Sequence, residues 1–63
     1  MLISVVILLY NQSTHRYLVV DGDFLTSVDE LVQKCSDLAM QKVRELDFPL
    51  DWEIKSISHT RLH

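Results

Sequence analysis

The sequence predicts an α+β fold of ββαβ type: a three-stranded antiparallel sheet in the order 2-1-3, with one long helix packed on one face. Three observations predict it. Residues 2–10 (LISVVILLY) are a continuous apolar run rich in Val and Ile, and a strand apolar on both sides is normally central in its sheet. Apolar residues between 28 and 46 recur at steps of three and four, the spacing of an amphipathic helix. The single Gly and single Pro fall between the periodic segments and punctuate them. The 63 residues suit one small domain, 1–63.

In chain order, the first strand has one uniformly apolar side, Ile3, Val5, Ile7 and Leu9. Leu2, Ser4, Val6, Leu8 and Tyr10 make its other side. Asn11-Gln12-Ser13-Thr14 is a polar turn cluster, and its shortness predicts a hairpin. The second strand covers residues 15–21. Arg16, Leu18 and Val20 lie on one face; His15, Tyr17, Val19 and Asp21 lie on the other. Asp21-Gly22-Asp23 then ends the strand, with Gly22 placed where a turn needs positive φ.

Ser27 and Glu30 match a capping box, and Asp29 and Glu30 favour the positive end of the helix dipole. The apolar stripe runs Val28, Leu31, Val32, Cys35, Leu38, Ala39, Val43, Leu46. A helix of roughly 20 residues follows, spanning ~30 Å. Pro49 cannot continue it, and Phe48 and Leu50 are expected to plug the open end of the core. The last strand is residues 52–58. Its apolar spacing slips from two to three between Ile54 and Ile57, and a β-bulge near Lys55-Ser56 keeps Trp52, Ile54 and Ile57 on one face. His59 to His63 form a polar tail.

One helix covers one sheet face, so the other is left open. The expected contact set there is Val6, Leu8, Tyr10, Tyr17 and Val19, with Arg16 at the edge. Large exposed apolar patches on small proteins mark interaction sites. A second copy of the chain (a homodimer) and a different protein are both expected occupants. The two outer strands leave edges open to a partner strand.

Six Lys and Arg against nine Asp and Glu give a net charge of −3, so the basic footprint of a nucleic-acid binder is missing. A nucleic-acid-associated regulator stacking bases on Tyr10 and Tyr17, with Arg16 nearby, is the alternative reading. One cysteine excludes an internal disulfide and points to a reducing cytoplasm. The run 2–10 is too short to span a bilayer, which takes ~20 apolar residues. Cys35 lies mid-helix on the apolar stripe, where a thiol is inert. His15, His59 and His63 lack zinc-site spacing, and turn chemistry accounts for Asp21 and Asp23. No catalytic set, cofactor or metal is expected.

The capped helix opened by Leu25-Thr26-Ser27-Val28-Asp29-Glu30 and the terminal strand Trp52-Glu53-Ile54-Lys55-Ser56-Ile57 resemble small bacteriophage accessory proteins of the T7-type RNA polymerase inhibitor kind. The likeness covers the second half of the chain. The helix here is longer and the chain less acidic, and no inhibitor contact residue is carried over. The resemblance implies a non-enzymatic phage or mobile-element protein that binds a host enzyme and blocks it.

Overall fold

The computed structural model describes residues 1–47 and 49–62. It contains β1 (Leu2–Asn11), β2 (Arg16–Leu25), α1 (Val28–Arg44) and β3 (Trp52–Arg61). The sheet order is β2-β1-β3, and both pairings are antiparallel. This is the topology expected from the sequence. β1 is central because it is apolar on both sides and gains a neighbour on each edge.

Burial alternates along β1: Ile3, Val5, Ile7 and Leu9 are buried, as is Asn11 at its end. With Val20 they meet Leu31, Cys35 and Ala39 of α1 to form the core, and Leu18, Phe24, Leu38, Val43, Trp52 and Ile57 pack around it. Each fully buried aliphatic side chain contributes about 1.5–3 kcal/mol, so the helix-side face of β1 is where the fold is held.

The hairpin loop is residues 12–15. His15 takes φ 60, and its N–H donates to the Asn11 carbonyl at 2.9 Å. The left-handed position of this turn is therefore filled by His15. Gly22 does not end β2 and has no positive φ. β2 runs four residues past Asp21, pairing to Leu2↔Leu25. Asp-Gly-Asp has turn chemistry, but β1 offers an unbroken ladder opposite it, and the ladder wins. Gly22 faces the helix, opposite Val5, and a Cβ there would lie 3.1 Å from Leu38 Cδ2. The glycine serves close approach of helix to sheet.

α1 is shorter than expected, at 17 residues, and no side-chain hydrogen bond forms at its N-cap, Ser27. The capping box is replaced by the Glu30 N–H donating to the Ser27 carbonyl at 3.2 Å and the Thr26 hydroxyl donating to Glu30 Oε2 at 3.4 Å. At the C-terminus, Glu45 and Leu46 N–H groups turn back to the Lys42 and Val43 carbonyls, a tightened last turn. The buried stripe is also narrower: Val28 and Val32 are exposed. They lie four apart on the same line as Ser36 and Met40, to the side of the buried Leu31–Cys35–Ala39 line.

The bulge falls where the spacing slip places it. The β1–β3 register shifts between Leu8↔Ser56 and Leu9↔Ile54, leaving Lys55 as the extra residue. Trp52, Ile54 and Ile57 pair with Asn11, Leu9 and Ile7, all helix-side positions. The polar tail extends β3 to Arg61, and the Leu62 N–H donates to the Leu2 carbonyl at 2.8 Å. Leu50 is exposed and does not plug the core; its carbonyl instead accepts a bond from Asn11 Nδ2 at 2.9 Å. The expected roles of Phe48 and His63 lie outside the described residues.

Candidate functional site: the open sheet face

The face away from α1 is built by the alternate residues of each strand. Register places Tyr10 beside Tyr17, Leu8 beside Val19, Val6 beside Asp21, Ser4 beside Asp23 and Leu2 beside Leu25. On the other side, Ser56, Ser58 and Thr60 of β3 lie next to Leu8, Val6 and Ser4. Val6 is 45% exposed, Tyr17 64%, Val19 61% and Leu25 81%; Leu2, Leu8 and Tyr10 are half-buried by their neighbours. No described helix or strand lies over them. The apolar column follows β1 and β2, with a polar margin on β3.

At the hairpin end this face carries an aromatic and ionic cluster. The rings of Tyr10 and Tyr17 are 4.9 Å apart and tilted by 46°. The Tyr10 hydroxyl and His15 Nδ1 share a hydrogen bond of 2.7 Å. Lys55 Nζ lies 5.3 Å from the centre of the Tyr10 ring, within cation–π range, and 2.9 Å from Glu53 Oε1. Gln12 Nε2 donates to Glu53 Oε2 at 2.9 Å. The bond from Lys55, then that from Gln12, holds the Glu53 carboxyl below the ordinary range, and Glu53 raises the Lys55 ammonium in turn.

Five of the six residues singled out in the sequence are thus brought together: Val6, Leu8, Tyr10, Tyr17 and Val19. Arg16 is not. It pairs with Asn11, a helix-side position, and turns to the opposite face. The cation of the cluster is Lys55. Its place follows from the bulge, which turns Lys55 to the same side as Ser56, and the slip in apolar spacing between Ile54 and Ile57 is the sequence signal for it.

Elsewhere, Cys35 is buried and unpaired, and burial pushes its thiol pKa up. Among the described residues no three His, Cys, Asp or Glu side chains gather as a metal site, and no helix is long and apolar enough to cross a membrane. A groove of about 500 Å³ lies between the C-terminal half of α1 and β3, walled by Met40, Val43, Leu50, Trp52 and Ile54. The fold and its uncovered face define a small ββαβ protein with a one-sided sheet. Compared with known protein families, curated proteins and solved structures, the chain matches none of them.

Proposed function

We propose that this chain is a non-enzymatic protein-interaction module that docks its open sheet face on another protein and modulates or inhibits it. The observation that carries the reading is the exposure of Val6, Tyr17, Val19 and Leu25 on a face that no described element covers. Tyrosine is a favoured interface anchor, and Tyr10 and Tyr17 stand together at one end of the apolar column. Asp21 and Asp23 lie on the same face. A partner with an apolar centre and a basic margin is complementary to such a face. The resemblance to phage inhibitors makes a host enzyme in a reducing cytoplasm the natural target.

The test is affinity capture from bacterial lysate with the native chain, Val6→Asp and Val19→Asp, each checked for unchanged helix content by circular dichroism. A protein retained by the native chain and lost with both variants is the expected result. Identical retention by all three would refute the reading.

The Tyr10–Tyr17 pair with Lys55 beside it supports a second reading, a stacking platform for single-stranded nucleic acid. Asp21, Asp23 and Glu53 on the same face oppose phosphate. Salt-sensitive oligonucleotide binding that Tyr17→Ala weakens would favour this reading over the first.

A further inference from the structure

We infer that the open face takes a basic amphipathic helix: a partner segment of about 18 residues, laid along β1 and β2, with lysine or arginine one turn apart on the flank that meets Asp21 and Asp23. This rests on the docking reading above and names the partner's shape and charge.

The apolar side chains of this face belong to β1 and β2, because β3 sets the hydroxyls of Ser56, Ser58 and Thr60 beside them. Neighbouring strands lie ~4.8 Å apart, so a column two strands wide is about 10 Å across. One α-helix with its side chains is about 10–12 Å in diameter. A second helix packed beside the first would sit ~8–10 Å away, over the hydroxyl row or past the β2 edge. A partner sheet would press its outer strands on the same two places. From the Tyr10–Tyr17 row to the Leu2–Leu25 row is eight residues, ~27 Å of strand at ~3.4 Å per residue. A helix covers that length in about 18 residues. The other face of the same sheet already accepts one helix of 17 residues, α1.

Charge sets the flank. Asp21 and Asp23 are exposed and stand beside Val6 and Ser4, between the exposed Val19 and Leu25 of their own strand. Neither carries a hydrogen bond or an ion pair among the described residues. They are two residues apart on one side of a strand, ~6.8 Å, and helix positions i and i+4 are ~6 Å apart along the axis. Two cations at that spacing reach both carboxylates from a single flank. The β3 flank is different. There Lys55 is already held by Glu53 at 2.9 Å, and uncharged hydroxyls follow it along the strand. The face is therefore complementary to a helix that is positive on one side only.

The experiment titrates three synthetic peptides of about 18 residues into the full chain, followed by the chain's amide NMR shifts and by circular dichroism of the peptide. The first peptide has a leucine face at helical spacing and two lysines at i and i+4 on one flank. The second carries glutamates in place of those lysines. The third has the composition of the first, rearranged so that its leucines alternate as in a strand. The first should bind, gain helicity, and shift the amides of β1 and β2 around Val6, Val19 and Asp21. The second should bind about tenfold more weakly or worse. Asp21→Asn/Asp23→Asn should weaken the first by about three- to tenfold and bring the first two level. Val6→Asp should abolish binding with helix content unchanged. Equal binding of the lysine and glutamate peptides, or of the helical and alternating ones, overturns the inference, as does no binding by any of them at about 1 mM. So does sedimentation of the chain alone as a dimer that Val6→Asp dissolves, which would make a second copy the occupant. Failure with the peptides leaves partner docking to the lysate capture above, where a protein retained by the native chain and lost with Val6→Asp and Val19→Asp still supports it.

Discussion

Replacing Asn11 with Ala should cost this protein a large part of its stability. Asn11 is 0% exposed, and its amide ties three segments together. Its Oδ1 accepts from the Ser13 and Thr14 N–H groups at 2.9 Å each, which sets the hairpin turn. Its Nδ2 donates to the Leu50 carbonyl at 2.9 Å, which holds the chain entering β3 against the end of β1. The Gln12 N–H to Asp51 carbonyl bond at 3.1 Å and the Ser13 hydroxyl bond to the Asp51 carboxylate depend on that placement. Each bond is worth about 1 kcal/mol net. Water can reach the exposed Ser13 and Thr14 in the variant, so the expected loss is about 2–3 kcal/mol. A chain of this size rarely has more than about 3–5 kcal/mol from its core. At about 4–8 °C per kcal/mol, Tm should fall by roughly 10–20 °C. The assay is thermal and urea unfolding followed by circular dichroism, at one fixed protein concentration because self-association would shift Tm. Asn11→Asp keeps the acceptor for both turn N–H groups but loses the donor to Leu50, so it should leave the hairpin loop intact and loosen the start of β3. A Tm drop under about 2 °C for Asn11→Ala would show that the buried amide is not what joins turn and strand.

Two further outcomes are expected. Gly22→Ala should change stability by less than about 1 kcal/mol, because the entropy removed from the unfolded chain is offset by pushing Leu38 aside from a 3.1 Å contact. Gly22→Val should cost about 1–3 kcal/mol by overpacking, and a stabilised Val variant in urea unfolding would contradict the close-approach role. The Glu53 carboxyl should titrate below the ordinary value, chiefly through the bond from Lys55. Its folded pKa is lowered, so its contribution is present above the unfolded pKa and is lost as pH falls through the folded one. Lys55, with its pKa raised by Glu53, behaves oppositely, its contribution fading as pH rises through the raised value. In Lys55→Met the Glu53 carboxyl should move back up. An unchanged titration by NMR of that carboxyl would remove the ion pair from the cluster.

The sequence by itself determined the elements and their faces. β1, the hairpin, the amphipathic helix, the order 2-1-3 and the bulge at Lys55 were all legible. Each rests on local periodicity, two residues for a strand and 3.6 for a helix, and on the one slip in that period at Ile54 to Ile57. The open face was legible too, because Val6, Leu8, Tyr10, Tyr17 and Val19 simply alternate with the residues that point at the helix.

Only the tertiary structure decided where local signals compete with a neighbour. Asp21-Gly22-Asp23 reads as a turn, yet residues 2–6 of β1 lie alongside and keep β2 extended to Leu25. Asn11 reads as a turn residue and is instead a buried bracket, because the Leu50 carbonyl arrives from 39 positions away. Val28 and Val32 read as core and are exposed, because the helix buries the line of Leu31, Cys35 and Ala39. Lys55 reads as part of a β-bulge and becomes the cation over Tyr10. The physical reason is the same in each case. Periodicity sets the direction of a side chain from its own backbone, but what that side chain meets depends on a segment placed beside it only when the sheet closes.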